Sequence, residues 1–238
     1  MSGHSKWSKV KHQKASTDKV KGQAFTKATH AITVAVREAA GVTDPNLNFR
    51  LRLAIDKARS VNMPKENIAR AIERAAKAGE SNIDQVTYEA FGPGGAAVLI
   101  QAATDNKQRT VSQVKNVLDK SGGTLATPGA VSFMFQQSGV ITLAKSGLSF
   151  DALLELALEV GADDVIERDD VYEVYTSPAV LAQVRQRISD QGLVVDNAEI
   201  IMRPTIPLTL DGEKTAKLDQ LCAKLEELDD VTAVYANV

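Results

Sequence analysis

The spacing of apolar residues changes once along this 238-residue chain, close to Ser81. Before that point apolar residues recur every three or four positions, which is the spacing of helices that bury one face. After it, short apolar runs alternate with helical patterns, which indicates strands and helices in mixed order. The chain therefore combines a helical segment with α+β structure, and its length suits two or three small domains.

Three helices are predicted in the first third of the chain, after an extended arm formed by residues 1–22. The first helix begins at Gln23 and is stopped by Gly41, and the second follows Pro45. The third begins within "NMPKEN" and ends at Gly79, with Pro64 in its first turn. Each pattern has one apolar face, so we expect residues 23–79 to form a three-helix bundle.

The segment after Ser81 begins with "VTYEAF" and "AAVLIQAA", two predicted strands joined by the turn "GPGG". A helix is expected from Lys107 to about Ser121, followed by a loop "GGTLATPG" and a strand "VSFMF". The chain ends with a predicted strand "IPLTL", a helix from about Glu213 to Leu228 and a strand "VTAVYANV". Neither of these two pieces has enough elements to form a core of its own.

Between the two pieces lies a more regular unit, which starts with the strand "GVITLA". The strand is followed by a helix from Ser149 to Val160 and by the hairpin "DDVIER" and "VYEVYT". Next come a helix that is opened by Ser177-Pro178 and runs to Gln191, and the strand "VVDNAEIIM". The order β-α-β-β-α-β is that of a ferredoxin-like unit. We therefore predict a multidomain α and α+β protein: residues 1–80 comprise the arm and a helical domain, 81–131 and 206–238 form one discontinuous α+β domain, and 132–205 are an inserted ferredoxin-like domain.

Charge is divided unevenly between the two parts of the chain. Residues 1–80 contain 16 Lys and Arg against 7 Asp and Glu, whereas residues 81–238 contain 12 against 23, so the formal charges are +9 and −11. A basic segment joined to an acidic body indicates a polyanion partner at the basic end.

Several functional classes are disfavoured by the residues that the chain lacks. The single cysteine, Cys222, excludes an internal disulfide or a cysteine-based zinc cluster, and its apolar helical face predicts a buried side chain. All three histidines, at positions 4, 12 and 30, lack a matching ligand at metal spacing. No apolar run suits a secretory signal or a membrane span. We expect a cytoplasmic protein without enzymatic activity, cofactor, metal, membrane partner or small-molecule substrate.

The basic arm contains lysines at positions 6, 9, 11, 14, 19 and 21 around the only tryptophan, Trp7. Such lysines bind phosphates without reading sequence, through release of counterions. Two roles for Trp7 stay open: its ring stacks on an exposed base, or it anchors the arm on the bundle. The basic surface is expected to continue onto the first two helices. There, Lys27, His30 and Arg37 lie opposite the Phe25 and Ile32 side and are expected to form an exposed stripe, while the second helix adds Arg50, Arg52 and Arg59.

The motif "TDNKQRT" has two interpretations. Asp105 or Asn106 can cap the helix that begins at Lys107, and the charges are then solvated. Alternatively, Lys107 and Arg109 stand beside free N–H groups at a helix start and form a secondary anion site.

Six motifs in this order resemble one family: "GHSKW", "KGQAFTK", "NMPKENI", "YEAFGPGG", "TDNKQRT" and "GGTL" are similar to the YebC family, also called YebC/PmpR, whose eukaryotic relative is a mitochondrial translational activator of cytochrome oxidase. The resemblance implies a three-domain protein without enzymatic activity. It also implies that Lys6, Trp7, Lys9, Lys11, His12, Lys14 and Lys27 face nucleic acid.

From the residues and the resemblance together, we expect a DNA-binding transcriptional regulatory protein that acts through its basic N-terminal domain. Two alternatives stay open. One is an RNA-binding translation factor that acts on the ribosome, because phosphate contacts do not distinguish the nucleic acids. The other is a protein–protein adaptor that uses the acidic domains.

Overall fold

Seven helices and two four-stranded sheets form the part of the chain that the structure describes, which is residues 18–77, 83–145 and 149–238 of a computed structural model. The helices are α1 (Asp18–Glu38), α2 (Phe49–Ser60), α3 (Lys65–Ala76), α4 (Lys107–Lys120), α5 (Phe150–Val160), α6 (Leu181–Asp190) and α7 (Gly212–Glu226). The strands are β1 (Asp84–Phe91), β2 (Ala97–Thr104), β3 (Thr124–Leu125), β4 (Phe135–Ala144), β5 (Asp164–Glu167), β6 (Val171–Thr176), β7 (Val195–Pro204) and β8 (Val231–Ala236). The predicted fold class, multidomain with α and α+β parts, is confirmed.

The first three helices pack around a core rich in alanine, in which Ile32, Leu51 and Ile68 are buried. The first helix begins at Asp18 rather than Gln23, so residues 18–22 are helical and not part of an extended arm. Extending a packed helix by one turn costs little, and lysine is a good helix former. The predicted stop of the third helix at Gly79 lies outside the described residues.

Asn48 connects the first helix to the second. Its side-chain oxygen accepts from the Leu51 N–H at 3.0 Å and so caps α2. Its amide nitrogen donates to the carbonyl oxygens of Ala35 at 2.9 Å and Val42 at 3.0 Å. The residue is buried, and its three bonds hold the α1–α2 loop in one arrangement.

The first sheet has the strand order β3-β1-β2-β8, and its three strand pairings are antiparallel. The C-terminal strand β8 therefore pairs with β2, and α4 and α7 contribute Leu118 and Leu221 to a shared core beneath the sheet. The turn between β1 and β2 contains Gly94 at φ +74, as the predicted glycine turn requires. The loop "GGTLATPG" contributes the two-residue strand β3 against β1, which the sequence did not predict.

Two predicted strands are wrong. "IPLTL" is irregular, because Pro207 has no N–H to donate and the carbonyl oxygen of Ile206 accepts instead from the Asn237 side chain at 3.0 Å. "VSFMF" is a turn of 3₁₀ helix over Ser132–Met134, and only its last residue enters a strand. The N–H of Ser132 donates to the buried carboxylate of Glu89, so it cannot donate to a neighbouring strand.

The described chain divides into two compact units: Phe135–Arg203, and the remainder. The smaller unit has the predicted β-α-β-β-α-β order and the sheet order β5-β6-β4-β7 of a ferredoxin-like fold. Its second helix begins at Leu181 rather than at Ser177, and residues 178–180 form a turn before it. A Cβ at Gly139 would lie about 3 Å from Leu181, so only glycine allows this helix to approach β4 so closely. The boundaries proposed from sequence, at residues 80, 131 and 205, stay predictions.

Candidate nucleic-acid interface

Much of the predicted basic arm lies outside the described residues. This holds for Lys6, Trp7, Lys9, Lys11, His12 and Lys14. The backbone of Lys19 belongs to α1, but its side chain is also outside the described part, whereas Lys21 is exposed on α1. The structure can therefore test only the part of the predicted basic surface that lies on the helices.

The predicted stripe on α1 does face away from the Phe25 and Ile32 side. Arg37 is exposed as expected, but Lys27 and His30 are half-buried. Lys27 Nζ donates to the carbonyl oxygen of Glu226, and Arg37 donates to that of Ile83 at 2.8 Å. The stripe packs against the C-terminal end of α7 and the residue that precedes β1. Its cations therefore have protein partners in this structure.

His30 lies in the same stripe and is half-buried. Its Nδ1 is the one buried side-chain polar atom, among the described residues, without a hydrogen-bond partner. Burial lowers the pKa of His30 below its ordinary value, and this effect outweighs the opposing influence of the nearby carboxylates Asp230, Asp105 and Asp229. His30 is therefore a neutral side chain at a packed contact rather than a cation on a surface.

The cations of α2 lie at the surface in weak ion pairs. Arg50 pairs with Glu38, and Arg59 lies 3.5 Å from Asp56, with the arginine side chains 44% and 64% exposed. Exposed pairs of this kind contribute about 0–1 kcal/mol, so phosphates can replace the carboxylates at little cost. These two arginines can therefore contact a polyanion without disturbing the fold.

Arg52 differs from its neighbours because it braces a loop. Its Nε donates to the carbonyl oxygen of Pro45 at 3.1 Å, and its NH2 group donates to the Asn46 side chain at 3.1 Å. A substitution of Arg52 therefore changes the α1–α2 loop as well as the surface charge.

A second set of exposed cations was missed in the sequence. Arg70, Arg74 and Lys77 recur at helical spacing on the side of α3 opposite buried Ile68. Lys77 lies 3.3 Å from Glu73, and Arg70 donates to the Asn67 side chain. The signal was present as basic residues at positions i, i+4 and i+7, but the intervening acid Glu73 obscured it.

The motif "TDNKQRT" is a capped helix start with neutralised charges. The Asn106 side chain accepts from the Arg109 N–H at 3.0 Å, and Lys107 lies 2.9 Å from Asp84. Arg109 lies 2.8 Å from both Asp105 and Asp230. This geometry favours a capped helix start over a secondary anion site, because both cations of the suggested site are already paired with carboxylates.

Asp230 is the centre of that network. Its carboxylate is buried and accepts from the hydroxyls of Thr110 at 2.7 Å and Thr104 at 3.1 Å, besides Arg109. Burial alone raises the pKa of Asp230, but these donors outweigh burial and hold the pKa below its ordinary value. The network ties the start of β8 to the end of β2.

A second buried carboxylate, Glu89, was not identified from sequence. It accepts from the N–H groups of Gly129 at 2.7 Å, Val131 at 2.7 Å and Ser132 at 2.9 Å. Burial raises its pKa, but the three donors outweigh burial, so the pKa of Glu89 lies below its ordinary value. The carboxylate thus organises the loop that precedes the second unit.

Few features of the described residues suit catalysis or metal binding. Cys222 is buried as predicted, and burial raises the pKa of its thiol to about 12, so the reactive thiolate is strongly disfavoured. Residues 18–77, 83–145 and 149–238 contain no group of three His, Cys, Asp or Glu side chains placed to hold a metal ion. Over the same ranges no helix is both long and apolar enough to cross a bilayer.

Comparison with known proteins identifies the family. Residues 5–78 match the family described as TACO1/YebC protein N-terminal domain, and residues 83–238 match the one described as TACO1/YebC second and third domain. The chain belongs to the TACO1/YebC family. The resemblance inferred from the six motifs is thereby confirmed.

Two bacterial proteins and one solved structure match this chain along almost their whole length. A probable transcriptional regulatory protein of Chloroflexus aggregans is 49% identical over all of this chain and 95% of its own. One from Geobacter sulfurreducens is 44% identical over the same shares of both chains. A conserved hypothetical protein from Aquifex aeolicus is 40% identical in sequence. Its crystal structure matches with a TM-score of 0.85 and covers 96% of this chain and 94% of its own.

Proposed function

We propose that this member of the TACO1/YebC family is a non-enzymatic regulator of gene expression that binds DNA through its basic N-terminal segment. The observation that carries the proposal is the charge division, +9 over residues 1–80 against −11 over residues 81–238. A polyanion is attracted to the first part and repelled by the second, so the distribution orients the protein as well as binding it. The names of the bacterial relatives support a regulatory role in transcription.

The exposed helical cations extend the proposed surface beyond the arm. Arg50 and Arg59 on α2 and Arg70 and Arg74 on α3 are exposed. Positions four apart on a helix rise about 6 Å, so Arg70 and Arg74 can each contact a phosphate of one strand. Contacts of this kind set affinity and orientation and do not read bases.

An RNA or ribosomal target is the second candidate, and Trp7 is the observation that favours it. An aromatic ring among lysines can stack on a base only where that base is unpaired. Single-stranded RNA offers such bases and duplex DNA does not.

The test compares the full-length chain on a labelled DNA duplex and on a single-stranded RNA of the same sequence, by fluorescence anisotropy across a range of salt concentrations. DNA binding predicts tighter binding to the duplex and a steep salt dependence, with a slope of roughly −0.9 per phosphate contact. Preference for the single strand, lost in Trp7→Ala, would favour the RNA target. Salt-independent binding to both, or none, would contradict the proposal.

A further inference from the structure

Helix α1 is packed on two opposite sides. Gln23, Lys27, His30 and Arg37 are separated by four, three and seven positions, so at 3.6 residues per turn they share one face. The opposite face carries the apolar residues that close the helical core, such as Ile32. A surface helix has only one buried face. The polar face of α1 therefore requires an explanation beyond the bundle.

The N-terminal half of this polar face caps another helix. The last carbonyl groups of a helix have no partner within it, and cations stabilise that end. Gln23 Nε2 donates to the Glu227 carbonyl oxygen at 3.2 Å, and Lys27 Nζ donates to that of Glu226. These are the C-cap and the last residue of α7. Two side chains that are 204 and 199 positions away in sequence thus cap α7.

The remaining contacts lie further along the same face of α1. His30 lies near Asp230, Asp229 and Asp105, which follow α7 or precede α4. Arg37 donates to the carbonyl oxygen of Ile83, just before β1. From Gln23 to Arg37 the contacts extend over 14 residues, which is about 21 Å of helix. A contact of this length fixes the direction of the helix as well as its position.

We propose that this face, Gln23, Lys27, His30 and Arg37, is a docking stripe that fixes the orientation of the basic N-terminal segment on the first sheet. Lys27 and Gln23 are positioning residues in this arrangement, and Lys27 does not bind phosphate. The proposal rests on the proposed function, because the orientation matters only if the basic segment binds a polyanion. A docked α1 presents the exposed cations of the helical bundle in one orientation, which avoids an ordering cost on binding.

The chain offers a matched control for Lys27 on the same helix. Lys21 is exposed, and six positions of helix place it about 240° around the axis from Lys27. Lys21→Met and Lys27→Met remove the same charge and keep a similar unbranched side chain. Lys27→Arg keeps a cationic donor that can reach the end of α7.

The experiment measures duplex DNA affinity of the full-length variants across salt concentrations, well below the melting temperature. Lys27→Met should weaken binding about fivefold with an unchanged salt slope, because the lost contact is an ordering contact. Lys21→Met should reduce the magnitude of the slope by roughly 0.9, the value for one phosphate contact. Lys27→Arg should restore the affinity.

Two outcomes of this comparison would overturn the docking stripe. If Lys27→Met reduces the slope as Lys21→Met does, Lys27 contacts phosphate. If Lys27→Met leaves the affinity unchanged, the contact is structural only. Failure of the proposed function is distinguishable, because the unsubstituted chain would then bind without salt dependence.

Hydrogen exchange without nucleic acid tests the docking by itself. Lys27→Met should speed exchange of the amides in the last turn of α7 relative to Lys21→Met. Equal exchange in the two variants would overturn the docking whatever the binding data show.

Discussion

Replacing Glu89 by glutamine tests how one buried carboxylate holds the loop before the second unit. One carboxylate oxygen accepts from Gly129 and the other from both Val131 and Ser132. A hydrogen bond to a charged group contributes about 1.5–3 kcal/mol and a neutral one about 0.5–1.5 kcal/mol. Glutamine keeps a single acceptor oxygen and presents an NH2 group to the remaining donor. Two bonds therefore fall from charged to neutral strength and one bond is lost entirely, which together amount to about 5 kcal/mol.

The assay is thermal unfolding followed by circular dichroism at pH 7. For a chain of this size about 5 kcal/mol corresponds to a melting temperature lower by roughly 10–20 °C. The control is Glu155→Gln, the same change at an exposed position of α5, where we expect little effect. If both variants melt alike, the three N–H donors do not stabilise the loop as argued.

The pH dependence of the Glu89→Gln effect is a second part of the same prediction. The pKa of Glu89 is lower in the folded state than its ordinary value of about 4.3, so the unfolded chain binds this proton more readily. The stabilisation is complete above pH 4.3 and is lost as the pH falls through the folded pKa. The difference between wild type and variant should therefore shrink below about pH 4. A difference that stays constant down to pH 3 would contradict the assigned pKa direction.

Two further predictions concern the first sheet and the second unit. Asp230→Asn should destabilise the protein by about 2 kcal/mol, because the Thr104 and Thr110 hydroxyls lose a charged acceptor. The control Asp229→Asn, at the exposed neighbouring position, should change the stability little. Equal melting temperatures of the two variants would refute the network. Residues 132–205 should unfold cooperatively when expressed alone, whereas 206–238 should not fold, because β8 needs β2 as its partner. A disordered circular dichroism spectrum for 132–205 would count against an inserted domain.

The class of the fold could be predicted because it depends on local patterns. Helical periodicity before Ser81 and the β-α-β-β-α-β order after it are properties of short windows, and both appear in the structure. The errors lie where a distant partner decides the conformation. "VSFMF" has strand-forming residues, but Glu89, 43 positions away, holds the Ser132 N–H. No window of sequence contains that contact.

The same limit applies to the candidate site. The sequence placed Lys27, His30 and Arg37 correctly on the face of α1 opposite Ile32. It did not show that the end of α7 packs there, because nothing near Lys27 identifies a carbonyl group 199 positions away. The count of charges therefore could not distinguish cations that contact another part of the protein, such as Lys27, from cations that face solvent.

The most direct test of the central claim is the salt dependence of duplex DNA binding after neutralisation of the arm. The triple variant Lys9→Gln, Lys11→Gln and Lys14→Gln should reduce the magnitude of the slope of log K against log salt by about 2–3. The matched control changes Lys115, Lys120 and Lys224, which are exposed on α4 and α7, so the net charge of the chain is the same. The control variant should keep the wild-type slope. An unchanged slope in the arm variant, or an equal change in both, would contradict binding through the basic N-terminal segment.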